Sequence, residues 1–119
     1  MLFRSLGICL AFSSSLESWG EPSDSNALPN SVTFTEHVAP IVFNRCAECH
    51  RAGEIGPFPL TNYAEVRKRG RQIRDVVLDR FMPPWHPAPG YGSFRDSRRL
   101  SDKEIALVDA WVKIGRAHV

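Results

Sequence analysis

The chain has 119 residues, an apolar fraction of 43% and a formal net charge of +2. That length fits one domain. The ordinary apolar fraction excludes a disordered chain and a multi-span membrane protein, and so small a charge gives no argument for nucleic-acid binding. A domain of this size has little core of its own, and small domains commonly add a metal or a covalent staple.

Residues 1–20 read as a secretory signal peptide. Arg4 supplies the positive n-region, Leu6-Gly7-Ile8-Cys9-Leu10-Ala11-Phe12 is a short apolar stretch, and small and polar residues follow from Ser13. Cleavage is expected after Ser15 or Gly20. The apolar stretch is far below the roughly 20 residues that span a bilayer, so no membrane span is expected after cleavage; the alternative is an uncleaved anchor. Either way the expected location is extracytoplasmic, periplasmic or secreted. Residues 21–31 are rich in Ser, Pro, Asn and Asp and read as a flexible linker. The folded domain is expected over residues 32–112.

The first helix is expected over residues 38–50, because Val38, Val42, Cys46 and Cys49 fall near one stripe with Ile41 beside them. Pro40 is tolerable only in the first turn, which puts the start near Val38. The helix would end in Cys46-Ala47-Glu48-Cys49-His50, the C-x-x-C-H attachment sequence of a c-type haem. Each part answers a chemical need. Thiols at i and i+3 share one face of a helical turn and can both form thioethers with the two vinyl groups of one porphyrin. The adjacent histidine offers an imidazole nitrogen to the iron. Once the leader is removed, Cys46 and Cys49 are the only cysteines left, too few for a four-thiolate zinc site. The expected cofactor is one covalent haem c.

Gly53-Glu54-Ile55-Gly56-Pro57-Phe58-Pro59-Leu60 cannot form regular structure, and its large apolar side chains are suited to cover a porphyrin. A second helix is expected over residues 63–80. Asn62 and Glu65 form its start signal, and Val66, Gly70, Ile73 and Val77 line its inner face. Arg67, Arg71 and Arg74 share another face and are expected to be solvated, either as an ordinary surface or as a patch that steers an acidic redox partner. The third helix starts after Ser101, where Ser101 and Glu104 make a capping box and Leu100 and Ile105 a hydrophobic staple. Ile105, Val108, Trp111 and Val112 supply its apolar stripe. No segment alternates with period 2, so the fold class is all-α.

Met82 is the only methionine besides the initiator and lies in Phe81-Met82-Pro83-Pro84-Trp85-His86. A proline-stiffened loop holds a weak thioether ligand at little ordering cost, which makes Met82 the candidate distal iron ligand opposite proximal His50. His86 is the runner-up on the same loop; His37 is expected to be exposed. Phe58, Phe81 and Trp85 are candidates to pack around the haem, the alternative for each being a plain core role without haem contact. Tyr63 is a candidate either for a propionate or for helix-start packing.

Taken together, C-x-x-C-H, the Met82 loop and the Trp111 helix resemble a class I cytochrome c over residues 32–112. Val38-Ala39-Pro40-Ile41, the stretch from Cys49 to Phe58, and Met82-Pro83-Pro84-Trp85 resemble more narrowly a bacterial group in which such a domain lies near the N-terminus of larger secreted proteins. Some of those continue into a domain similar to copper type II, ascorbate-dependent monooxygenases, others into redoxin-like or uncharacterised domains. The resemblance implies three main helices around one haem, with Cys46 and Cys49 bonded to it, His50 proximal and Met82 distal. The ending Lys113-Ile114-Gly115-Arg116-Ala117-His118-Val119 matches a translated sequencing adapter, so residues 113–119 are expected to be non-native and the source gene to continue differently after Val112.

The function expected from all this is electron transfer, not catalysis by the domain itself, to a redox partner protein or a covalently linked downstream domain. Two alternatives belong to other classes. One is a haem-based catalyst or gas- and peroxide-binding domain with a labile distal ligand. The other is a non-haem Cys/His module, either a zinc site using Cys46, Cys49, His50 and His86 or a thioredoxin-like pair.

Overall fold

The structure is a computed structural model in which residues 24–25 and 27–114 are described. The signal-peptide reading, most of the expected non-native tail and His118 lie outside the described residues. Those residues contain helices and turns and no strand.

Helical structure begins earlier than the proline suggests. A π-helical turn, Phe34–Val38, runs directly into α1, Ala39–Arg45. Thr33 caps the turn: its side chain accepts the Glu36 amide, and its own N–H donates to Nδ1 of His37 at 3.1 Å. His37 is thereby spent on the cap. Pro40 stands in the first turn of α1, where it offers no N–H to the π-helical turn before it.

The first helix also ends earlier, at Arg45 instead of His50. The amides of Cys46 and Ala47 both donate to the Val42 carbonyl at 2.9 Å, a register slip that closes the helix. The amides of Cys49 and His50 then donate to the Cys46 carbonyl at 3.2 and 2.9 Å. The two cysteines therefore share a separate turn beyond α1.

The second expected helix is two. α2, Tyr63–Lys68, and α3, Gly70–Leu78, meet at Arg69, whose φ of −106° and ψ of 9° break the helical run. The Asn62 side chain accepts the Glu65 amide as expected. Val66, Gly70, Ile73 and Val77 are all buried. α4, Asp102–Lys113, starts with the full Ser101–Glu104 capping box, and the staple residues Leu100 and Ile105 are both in the core.

α4 packs on α3 and on the π-helical turn. Trp111, 1% exposed, sits at the centre, with Phe34 5.5 Å and Tyr63 6.5 Å away between ring centroids. Among the described residues no polar or charged side chain is buried. One expectation fails here. Arg74 is not a solvated surface arginine: its Nε donates to Asp109 of α4 at 2.6 Å, and Lys113 donates to the same carboxylate at 2.6 Å. Lys113 and Arg74 together hold the Asp109 carboxyl below its usual range.

Candidate functional site

The turn after α1, the loop over residues 53–60, one face of α3 and the Met82 loop enclose a cleft of about 360 Å³. Cys46, Cys49 and His50 line it together with Ile55, Pro57, Phe58 and Leu60. Ile73, Val76 and Val77 of α3 form the floor, and Phe81, Met82, Pro83 and Pro84 complete the wall. Arg45, Gln72 and Arg98 supply the polar part of the lining. Residues far apart in the chain, C-x-x-C-H and Met82, thus meet on one cavity.

His50 is oriented by the loop that follows it. Its Nδ1 lies 3.1 Å from the Phe58 carbonyl oxygen, an atom that only accepts, so Nδ1 carries the proton. That leaves the Nε2 lone pair available for a metal, and a backbone acceptor of this kind fixes both tautomer and ring orientation. The loop is pinned by two amides, Gly56 to the Cys49 carbonyl and Leu60 to the His50 carbonyl, each at 2.8 Å. The Phe58 ring packs on the His50 ring at 4.8 Å, and the Arg69 guanidinium covers Phe58 at 3.6 Å from its centroid.

Both thiols are free and half-buried. Burial, reinforced by the charge of Cys49, pushes the Cys46 thiol up from 9.0 to about 11. Cys46 is thus a protonated thiol at neutral pH, the reverse of an activated redox cysteine.

The other sequence candidates divide. Phe58 and Phe81 line the cleft; Trp85 does not and instead meets Phe94 edge-on at 5.6 Å. His86 is exposed and away from the cleft lining. Tyr63 packs on Phe34 at 4.9 Å, taking the helix-start role. Four contributors were not foreseen: the Phe58 carbonyl, Gly56 as a site of close approach, and the Arg45 and Arg98 side chains. Arg45 had a signal, since it directly precedes Cys46; the carbonyl and Arg98 had none.

The residues present suit a haem c. The cavity is apolar and in the size range of cofactor pockets, it carries two free thiols three residues apart, and it adds an imidazole held in the right tautomer and a thioether. Ile55 and Phe81, which line it, are 89% and 69% exposed. Among the described residues no three His, Cys, Asp or Glu side chains form a group able to hold a metal ion by themselves. No protein-family model matches the chain, and no curated protein or solved structure matches it.

Proposed function

We propose that this chain carries one haem c, bonded through Cys46 and Cys49, with His50 and Met82 as axial ligands, and that it serves as an electron-transfer module of class I cytochrome c type. The observation that carries the proposal is the convergence of Cys46, Cys49, His50 and Met82 on a single apolar cleft. Bound there, haem supplies a one-electron ferrous/ferric couple. The chain's residues do the rest. Cys46 and Cys49 hold the ring through thioethers, and the Phe58 carbonyl keeps Nε2 of His50 aimed at the iron. Met82 would be the second protein ligand and would raise the potential above that of a His/His pair. Ile73, Val76 and Val77 exclude water from the face they line. With His50 and Met82 both engaged, the metal would be closed to substrate, so the domain would carry electrons and leave chemistry to a partner.

The thioredoxin-like alternative loses support from the raised Cys46 thiol, because such pairs depend on a lowered one. The resemblance to N-terminal domains of larger bacterial proteins adds an exported setting and a downstream redox domain to the proposal.

Expression in a host that matures c-type cytochromes tests it. The purified chain is expected to stain for haem on a denaturing gel, to gain the mass of one haem, and to show the long-wavelength Met-to-iron charge-transfer band. That band should vanish in Met82→Ala while the stain persists. Colourless protein at the mass of the bare polypeptide would refute the haem; an unchanged spectrum in Met82→Ala would refute the distal ligand.

A further inference from the structure

We propose that Arg80 is a positioning residue that holds Met82 in place for the iron, an inference that rests on the axial reading above. α3 ends in a paired arrangement: the Arg80 amide donates to the Val77 carbonyl at 3.1 Å and the Phe81 amide to the Val76 carbonyl at 2.9 Å. In this helix ending the residue before the outgoing chain takes the left-handed conformation, a place where glycine is usual. Here it is Arg80, with φ of 54°. A non-glycine residue pays a steric penalty at that φ, so the side chain must return something.

Its guanidinium does. Nη1 donates to the Leu100 carbonyl at 3.2 Å, and Nη2 donates to the Asp102 carboxylate at the start of α4. One side chain therefore spans about 20 residues and ties the root of the Met82 loop to the N-terminus of α4. The Met82 amide donates to the Val76 carbonyl at 3.1 Å, the same acceptor that Phe81 uses. Arg80, Met82 and Pro83 share the walls of a small recess of about 40 Å³ with Leu100 and Ile105. Met82 is thus held by the end of α3, and the Arg80 fork ties that end to α4; a thioether, being a weak ligand, depends on such preorganisation.

The backbone strain makes the test selective. Arg80→Gly removes the fork and relieves the left-handed penalty; Arg80→Lys keeps charge and strain but replaces the planar two-pronged fork with a single ammonium. A role in stability alone leaves ligation in Arg80→Gly as in wild type. A positioning role separates the two properties. In Arg80→Gly, ferric protein is expected to bind added imidazole about three- to tenfold more tightly, the range set by the loss of a side-chain hydrogen bond, while the thermal midpoint does not fall below that of Arg80→Lys. Arg80→Lys should lie between wild type and Arg80→Gly in imidazole affinity. Amide exchange at Phe81 and Met82, which reads the loop without reference to iron, should quicken in Arg80→Gly while the α3 amides keep their rates. Imidazole affinity or loop exchange indistinguishable from wild type overturns the role of Arg80. Wild-type protein that holds covalent haem yet lacks the Met-to-iron band overturns the Met82 assignment itself, a different failure. If Arg80→Gly does not fold, the Arg80→Lys affinity decides alone.

Discussion

Gly56 has no room for a side chain. A Cβ there would stand 2.5 Å from the Cys49 carbonyl oxygen and 2.8 Å from Nδ1 of His50. The atoms in the way are backbone and the ring of the axial candidate, so neither can swing aside. Gly56→Ala is therefore expected to push the loop off His50 and cost about 1–3 kcal/mol, the usual penalty of overpacking. The check is the urea midpoint together with the haem spectrum: a stability loss with an altered axial signature is expected, and a variant identical to wild type in both would refute the close approach. Cys46 gives a second test at this scale, in the haem-free chain. Its thiol pKa is raised by folding to about 11, so the folded state favours the protonated thiol. That contribution to stability is complete below pH 9, the ordinary value, and is lost as pH rises through about 11. At pH 8 the folded chain should hold about a hundredfold less Cys46 thiolate than the unfolded chain. Peptide-mapped iodoacetamide labelling should accordingly be slow at Cys46 in buffer and fast in urea. Equal rates would show that the thiol is not buried.

Elements whose signals are local follow the sequence closely, and those shaped by distant contacts do not. The Ser101–Glu104 capping box is complete, with the Ser101 amide donating to the Glu104 carboxylate at 2.7 Å. Ser101→Ala is expected to cost about 1 kcal/mol, read as a lowered urea midpoint with unchanged helical signal in native buffer; no shift would mean that α4 is held by its packing alone. Asn62 was equally legible, for the same reason of short range. The break at Arg69 was not. Val66, Gly70 and Ile73 keep helical spacing across it, and the Arg69 guanidinium lies over the Phe58 ring, a contact with a loop that carries no periodic signal. The early close of α1 is similar, since the slip of Ala47 onto the Val42 carbonyl leaves the apolar stripe intact. The candidate site divides along the same line. C-x-x-C-H and the lone Met82 announce themselves by residue type, whereas the Phe58 carbonyl that orients His50 is backbone and has no letter in the sequence.

At the scale of the whole molecule, the proposed haem would cover an apolar cleft and so add to stability. Ile55 and Phe81 line its walls, at 89% and 69% exposure, while every charged side chain among the described residues stays unburied. Covering two such side chains is worth about 1.5–3 kcal/mol each if complete, and the floor residues Val76 and Val77 gain further contacts. For a domain of this size each kcal/mol moves the thermal midpoint by about 4–8 °C. Haem-loaded protein is therefore expected to melt more than about 10 °C above the same chain produced without haem attachment, even though α4 and the Trp111 cluster form in both. The comparison is a pair of scanning-calorimetry traces, accompanied by binding of a hydrophobic dye to the haem-free chain that disappears on loading. Coincident midpoints would mean that the cleft is closed by the chain's own side chains, and the large exposure of Ile55 and Phe81 would then have to be explained by a contact outside it. Because Ile55 and Phe81 come from two loops on either side of the cleft, the same experiment on Ile55→Ser and Phe81→Ser divides the gain between them: each should lower the loaded midpoint while leaving the haem-free one nearly unchanged, since in the haem-free chain neither side chain is buried.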